Sequence, residues 1–283
     1  TIKTFTMSAA IDTNAAKATD TFYNTDSIRI NDYVISNATK GRTGNISFQT
    51  ALEWSLNTGF VTLGMRMGDG NSINPKARAT IYDYFHNKFG LGTATGVELA
   101  GETGGRIVPP EQADGNAVRY SNMTFGQGMD STVLQVATGF SSLVNGGDYY
   151  TPTVIAGTMN NGTYQPGVAP VPSRGAVISP ETSRAIRAMM SEARSSSIGS
   201  LDKKGYEIGG KTGTAQIPEA GGYSDSETIA SYLGYGGADT PEYVIMVSAY
   251  GQDKVFQGAR DASPIFTDLS NWMLDYLKIQ PKG

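Results

Sequence analysis

Gly209–Gln216 reads Gly-Gly-Lys-Thr-Gly-Thr-Ala-Gln. Lys211 puts one cation among small residues, where backbone can come close to a ligand. Gly213 lacks a Cβ, so an extended chain could lie against the strand. Thr212 and Thr214 add hydroxyl donors. Taken alone, this run also suits the end of a surface strand, so its chemistry depends on partners elsewhere. Ser55 and Asn57 are two residues apart, between an apolar pattern that ends at Trp54 and another that starts at Phe60. By spacing they are a capping pair at the mouth of a helix. Lys3 lies in an apolar-rich opening stretch. His86 is the one histidine, so a Ser-His-Asp triad would have to use it. It sits in Tyr82–Lys88, an ordinary amphipathic pattern. The chain has no cysteine. That excludes disulfides, thiolate metal sites and cysteine nucleophiles.

These residues need elements to hold them. Thr1–Ile11 reads as a helix, with Ile2, Phe5 and Ala9 near one face. The chain opens inside this helix, which suggests a cut. Asp12–Lys40 is polar and aperiodic and reads as mostly loop. Phe48–Trp54 is a helix capped by Ser47, and Phe60, Val61, Leu63 and Met67 mark the next. Ile81–Phe89 is a helix ending at Gly90, followed by turns through Gly105, with Val97 and Leu99 a short extended piece. Val133–Leu143 is a helix stopped by Asn145-Gly146-Gly147. Tyr149–Ile155 is a short extended run, and Asn160–Arg174 an exposed loop. Pro180 opens a helix over Thr182–Glu192, and the Ser-rich Arg194–Ser200 is expected to be mobile. The Lys211 segment, Thr228–Gly236 and Glu242–Tyr250 are three strands joined by turns, predicting an antiparallel sheet. Asp261–Lys278 is the last helix, with a broad apolar face for the sheet.

With 283 residues, of which 39% are hydrophobic, the chain can build a sizeable core. The net charge of −4 argues against nucleic acid, which needs a basic face. No apolar run approaches the roughly 20 residues of a spanning helix. Asn37, Asn45, Asn122 and Asn161 open Asn-x-Ser/Thr triplets, a number that chance explains in a chain rich in Asn and Thr.

Lys3, Ser55-Leu56-Asn57 and Lys211-Thr212-Gly213 nevertheless form an ordered set. It is similar to the Ser-x-x-Lys, Ser-x-Asn, Lys-Thr-Gly signature of penicillin-binding proteins. The chain resembles the transpeptidase domain of the class B, monofunctional members. Lys3-Thr4-Phe5 looks like the tail of Pro-Gly-Ser-Thr-x-Lys-Pro-Phe in that family. Ala51–Val61, Phe89–Val97, Phe125–Gly147 and Gly210–Gln216 are also similar to it in order and spacing, so the resemblance covers essentially the whole chain.

The resemblance implies an α/β (α+β) fold of the penicillin-binding-protein and serine β-lactamase kind. An antiparallel sheet flanked by helices would stand beside a mainly helical subdomain. Residues 1–283 would be a single transpeptidase domain, with 14–200 the mainly helical part with loops and 201–283 the sheet strands and C-terminal helix. The family's nucleophilic serine is expected immediately before Thr1. Its first β-hairpin would also precede Thr1, so the sheet should show an unpaired edge. Ser200-Leu201-Asp202-Lys203 is an internal Ser-x-x-Lys, but in a polar stretch without helical periodicity, and reads as coincidence.

The resemblance also implies roles. Lys3 would be the base, its pKa lowered by burial and by Lys211. Ser55 would bridge Lys3 and Lys211 and pass a proton to the leaving amine. Asn57 would hold a substrate amide, and Thr212, Gly213 and Thr214 would line the strand that takes the substrate carboxylate. No metal or organic cofactor is needed. The reaction would be cross-linking of peptidoglycan stem peptides through an acyl-serine, with β-lactams as mimics. The setting would be the outer face of the bacterial cell membrane, with a membrane-embedded glycosyltransferase or divisome/elongasome partner. Competing readings are a serine β-lactamase, for which Glu53 is the carboxylate nearest in sequence to Ser-x-Asn, or a D,D-carboxypeptidase, and a non-catalytic β-lactam sensor or pseudoenzyme domain.

Overall fold

The computed structural model describes residues 1–219, 222–252 and 254–282. In chain order it runs α1 (Lys3–Asp12), β1 (Thr21–Asn24), β2 (Ser27–Ile30), β3 (Tyr33–Ser36), β4 (Gly44–Ser47), α2 (Phe48–Glu53) and α3 (Asn57–Arg66). Then come α4 (Pro75–Tyr82), α5 (Ala117–Met123), α6 (Val133–Val144), β5 (Asp148–Tyr149), β6 (Gly157–Asn160), β7 (Thr163–Pro166), β8 (Arg174–Ala176) and α7 (Pro180–Ser195). The chain closes with β9 (Glu207–Glu219), β10 (Gly222–Gly237), β11 (Pro241–Ala249) and α8 (Ser263–Tyr276).

The last three strands form an antiparallel sheet in the order β11-β10-β9, with Leu233 opposite Lys211 and Gly234 opposite Ile245. Apolar side chains leave β10 in both directions. Leu233 and Tyr235 join the core around α1, while Tyr232 joins Phe266 and Leu274 of α8. Successive strand residues point to opposite faces, so β10 is covered on both sides. Gly234 is required there, because an added Cβ would stand 2.6 Å from the Phe266 ring. The outer edge of β11 has no partner strand among the described residues.

α1 is buried from Lys3 to Ala10. It therefore needs no apolar stripe, and its short residues Thr4, Thr6, Ser8, Ala9 and Ala10 let α3, α6 and α7 pack closely around it. Buried Thr6 donates to the Thr124 carbonyl (2.7 Å) and Ser8 to that of Thr4 (2.8 Å), so these hydroxyls are satisfied inside the core. α6 starts with a Thr132–Gln135 capping box. Gln135 Nε2 also donates to the Thr103 and Gly104 carbonyls, tying the glycine-rich loop to this helix.

Several segments differ from the sequence expectation. Asp12–Lys40, expected to be mostly loop, also holds three short strands: β1 pairs with β4, and β2 with β3. The helix expected over Ile81–Phe89 begins at Pro75, capped by Asn74, and continues from Asp83 to Lys88 as a π-helix. Val97 and Leu99 form a tight turn, with the Leu99 amide donating to the Val97 carbonyl at 2.8 Å. Of the run expected over Tyr149–Ile155 only Tyr149 is strand, following Asp148 in β5, and Asn160–Arg174 includes part of the exposed β6–β7 hairpin. Arg194, expected in a mobile stretch, is a buried guanidinium. It is held by Asp202 (2.5 and 2.6 Å), Tyr232 Oη (2.8 Å) and Thr267 Oγ1 (2.9 Å). A charge removed from water needs such partners.

Candidate active site

Lys3 is in the first turn of α1 and is 8% exposed. Its Nζ donates to the Ser55 carbonyl (3.0 Å), Ser55 Oγ (3.0 Å) and Asn57 Oδ1 (2.8 Å). The rings of Phe60 and Phe125 stand 5.8 and 6.0 Å from the same nitrogen. One amine thus gathers both polar residues of Ser55-Leu56-Asn57.

The local fold explains the reach. Leu56 N–H donates to the Ala51 carbonyl and Ser55 N–H to that of Leu52. This is the Schellman ending of α2, whose left-handed position usually belongs to glycine. Ser55 fills it, with φ +56°. Ser55 and Asn57 therefore do not cap α3 as their spacing suggested. The N-cap is Leu56, which makes no side-chain capping bond. The ending turns the Ser55 hydroxyl and carbonyl toward α1 together. Asn57 is steadied from behind, its Nδ2 donating to the Ser36 carbonyl of β3 (2.9 Å). Beneath it, Thr58 donates to Asn24 Oδ1 (2.6 Å) and its amide to Asn37 Oδ1 (3.0 Å), a buried polar network joining α3 to the β1–β4 and β2–β3 pairs. Asn37 is therefore interior despite heading an Asn-x-Thr triplet.

Lys211 arrives on β9 and is 4% exposed. Its Nζ donates to Thr212 Oγ1 (3.1 Å) and to the Thr212 carbonyl (3.3 Å). No hydrogen bond joins Ser55 to Lys211 among the described residues; the bridge implied by the resemblance is present only on its Lys3 side. The two lysines interact through charge. Burial holds the Lys3 amine well below the ordinary lysine range, and repulsion from Lys211 lowers it further. Burial pushes Lys211 down to about 8.

The start of α1 lies against β9. Thr1 N donates to the Thr212 carbonyl at 3.4 Å. A Cβ on Gly213 would stand 2.7 Å from Thr1 N and 2.4 Å from Ser231 Oγ, so the glycine admits the chain's own backbone and Ser231. Gly126, at φ +102°, presses the Phe125–Gly128 turn against Ile2. Thr214 is exposed, and its hydroxyl accepts from the Gly258 amide at 3.1 Å.

The other residues weighed from sequence lie in different surroundings. His86 stacks on Tyr82 (4.8 Å between ring centres), with Nδ1 3.3 Å from the Leu91 carbonyl. Ser200 is in a 3-10 turn, and Lys203 pairs with Asp275. Glu53 accepts from Gln49 Nε2 at 2.8 Å. Sequence reasoning missed the Ser36 carbonyl, which depends on a hairpin read as loop, and the two phenylalanines around the Lys3 amine. The Phe125-Gly126-Gln127-Gly128 turn was the available signal for one of them.

The arrangement is a buried amine of lowered basicity, hydrogen-bonded to a hydroxyl, beside a second cation and an open strand edge. It can take a proton from one hydroxyl and return it through another. Comparisons with known proteins place the chain as a whole. The family model for the penicillin binding protein transpeptidase domain matches residues 1–271. Stage V sporulation protein D of Bacillus subtilis is 30% identical over 286 residues, covering all of this chain and 42% of that protein. Penicillin-binding protein PbpB of Mycolicibacterium smegmatis is 35% identical over 200 residues, 66% of this chain and 30% of its own length. The chain thus spans less than half the length of these relatives. The crystal structure of penicillin-binding protein 3 from Mycobacterium tuberculosis complexed with aztreonam superposes with a TM-score of 0.83 at 26% identity, covering 100% of this chain and 62% of that one. With a family model matched from Thr1 to Asn271, and the fold of a penicillin-binding protein around Lys3, Ser55 and Lys211, this chain belongs to the penicillin-binding protein transpeptidase domain family.

Proposed function

We propose that this domain cross-links peptidoglycan stem peptides by D,D-transpeptidation through an acyl-serine, and is acylated by β-lactams. The observation that carries the reading is the Lys3 amine, buried near Lys211 and bonded to Ser55 Oγ and Asn57 Oδ1. On this reading the nucleophile is a serine joined to the nitrogen of Thr1. Such a residue is one helical turn from Lys3 and next to the Thr212 carbonyl, which lies 3.4 Å from Thr1 N. The sheet and C-terminal helix of 201–283 would form one wall of the groove and the 14–200 part the other, within a single domain.

The serine hydroxyl gives its proton to neutral Lys3 as its oxygen bonds to the penultimate D-Ala carbonyl carbon. Residues two apart on a strand turn their peptide groups to the same edge. The Thr214 N–H thus shares the edge of the Thr212 carbonyl, and with the serine N–H it would hold the oxyanion. The carbon–nitrogen bond then breaks, and the Lys3 proton passes through Ser55 to the departing D-Ala amine. In the second half, an amine of another strand bonds to the ester carbon and the serine oxygen leaves. The amine's proton returns to that oxygen through Ser55 and Lys3. Among the described residues β9 pairs only with β10, so its outer edge can take an extended peptide as an added strand. Asn57 Nδ2 keeps one proton for a substrate carbonyl, and the Lys211 and Thr212 groups suit a carboxylate. The reading sets the domain on the extracytoplasmic face of the membrane, with a membrane-embedded glycosyltransferase as partner.

Fluorescent penicillin should label the full-length protein stably, and digestion should recover the label on the serine preceding Thr1. Lys3→Ala should slow labelling by about 10²–10⁴-fold. Labelling that turns over within minutes would make the protein a β-lactamase. No labelling of the intact protein would end the acyl-transfer reading.

A further inference from the structure

A cavity of about 490 Å³ that the mechanism above does not use lies against Trp54. Its wall is made by Lys40 and Arg42 from the β3–β4 loop, by Ile46, and by Trp54, the residue that precedes Ser55. No acidic side chain lines it. The Arg42 guanidinium lies over the Trp54 ring, 3.9 Å from its centre. Stacking of this kind holds the planar group in place and leaves its N–H edges pointing outward. Among the described residues no carboxylate forms an ion pair with Arg42 or Lys40. Among the described residues Lys40 Nζ donates only to the Asp26 backbone carbonyl (3.3 Å). The Asp26 carboxylate is engaged by the amides of Gly41 (2.8 Å) and Arg42 (3.3 Å), which fixes the loop that presents both cations. In a chain of net charge −4, two cations without acidic partners facing one cavity are an anion site in waiting. The immobilised guanidinium suits a carboxylate gripped by two parallel bonds.

We propose that the Lys40–Arg42–Trp54 cavity binds a carboxylate of the amine-bearing acceptor peptide, and so holds that strand while its amine reaches the acyl-serine. This rests on the transpeptidase reading above, but the cavity can be tested apart from it. Trp54 is bonded to Ser55, their Cα atoms about 3.8 Å apart, so the proposed anchor lies one residue along the chain from the hydroxyl assigned the amine's proton. The Trp54 ring and Ile46 give its aliphatic part an apolar bed.

The test uses two synthetic acceptor peptides with a free side-chain amine, one with free carboxylates and one with carboxamides. Trp54 and Trp272 are the two tryptophans of residues 1–283, so in full-length protein with Trp272 and every tryptophan outside residues 1–283 changed to Phe the indole emission reports on Trp54. The carboxylate peptide should change that emission and bind at least fivefold more tightly than the carboxamide. Arg42→Gln should remove most of the difference. With a thioester donor, Arg42→Gln should also lower the ratio of aminolysis to hydrolysis about tenfold, a quantity independent of how fast the acyl-enzyme forms. Equal binding of the two peptides, or a preference that survives Arg42→Gln, overturns the proposal even where penicillin labels the protein. Failure of labelling with carboxylate binding intact overturns the transpeptidase reading instead.

Discussion

Ser55 holds a backbone conformation, φ +56°, that costs a non-glycine residue about 1 kcal/mol. Glycine would serve the end of α2 better, yet only a serine brings a hydroxyl to Lys3. This is local stability given up for a placed functional group. Ser55→Ala and Ser55→Gly both delete the hydroxyl, but only glycine relieves the backbone. Denaturant unfolding should therefore find the glycine variant about 1 kcal/mol more stable than the alanine variant, while both lose acylation by a similar factor of about 10² or more. Equal stabilities would mean that the turn is not strained. The serine type at position 55 is plain in the sequence; its left-handed backbone is not, because the Schellman ending that imposes it is recognisable mainly when glycine fills it.

At the scale of elements, α7 and the sheet are locked by Arg194. Its guanidinium ties the end of that helix to Asp202, to β10 through Tyr232 and to α8 through Thr267. The Ser-rich run Arg194–Ser200 suggested mobility because composition does not show that Arg194 is buried. Arg194→Ala leaves Asp202 without its partner, and should destabilise the domain by about 3–5 kcal/mol, read as a lower denaturant midpoint. A change below about 1 kcal/mol would show that the buried cluster is dispensable. The strands over Asp12–Lys40 escaped notice for a related reason. Each is four residues long, and Asn24, buried by its bonds to Thr58 and the Arg42 carbonyl, breaks the apolar alternation that marks a strand. By contrast, β10, β11 and the turn between them were legible, since long apolar strands around Gly236-Gly237 signal themselves.

Across the whole molecule, one buried amine on β9 helps to set the working range of another on α1. The proposed mechanism uses a neutral Lys3 beside a charged Lys211. Activity should therefore rise with pH through the depressed pKa of Lys3 and fall near pH 8 as Lys211 loses its proton. In Lys211→Gln the repulsion is gone, so the rising limb should move to higher pH. A pH profile of penicillin acylation for both proteins checks this, and a limb that stays put would refute the coupling. Stability carries the same signature. Above pH 8 the folded state releases a proton that the unfolded chain keeps up to 10.5, so unfolding should become harder between those values.

The sequence by itself determined the parts list: Lys3, Ser55, Asn57 and Lys211 in order, the capped helices α2 and α6, the three closing strands, and the family those features resemble. It could do so because residue type, turn chemistry and hydrophobic period act over a few neighbours. The tertiary structure alone decided that the Lys3 amine meets Ser55 and Asn57, that Lys211 answers Thr212 rather than Ser55, and that Arg42 stacks on Trp54. Those outcomes depend on burial and on contacts between residues many turns apart. A lysine's basicity or a serine's orientation is set by what surrounds it in space, which no short window of chain contains.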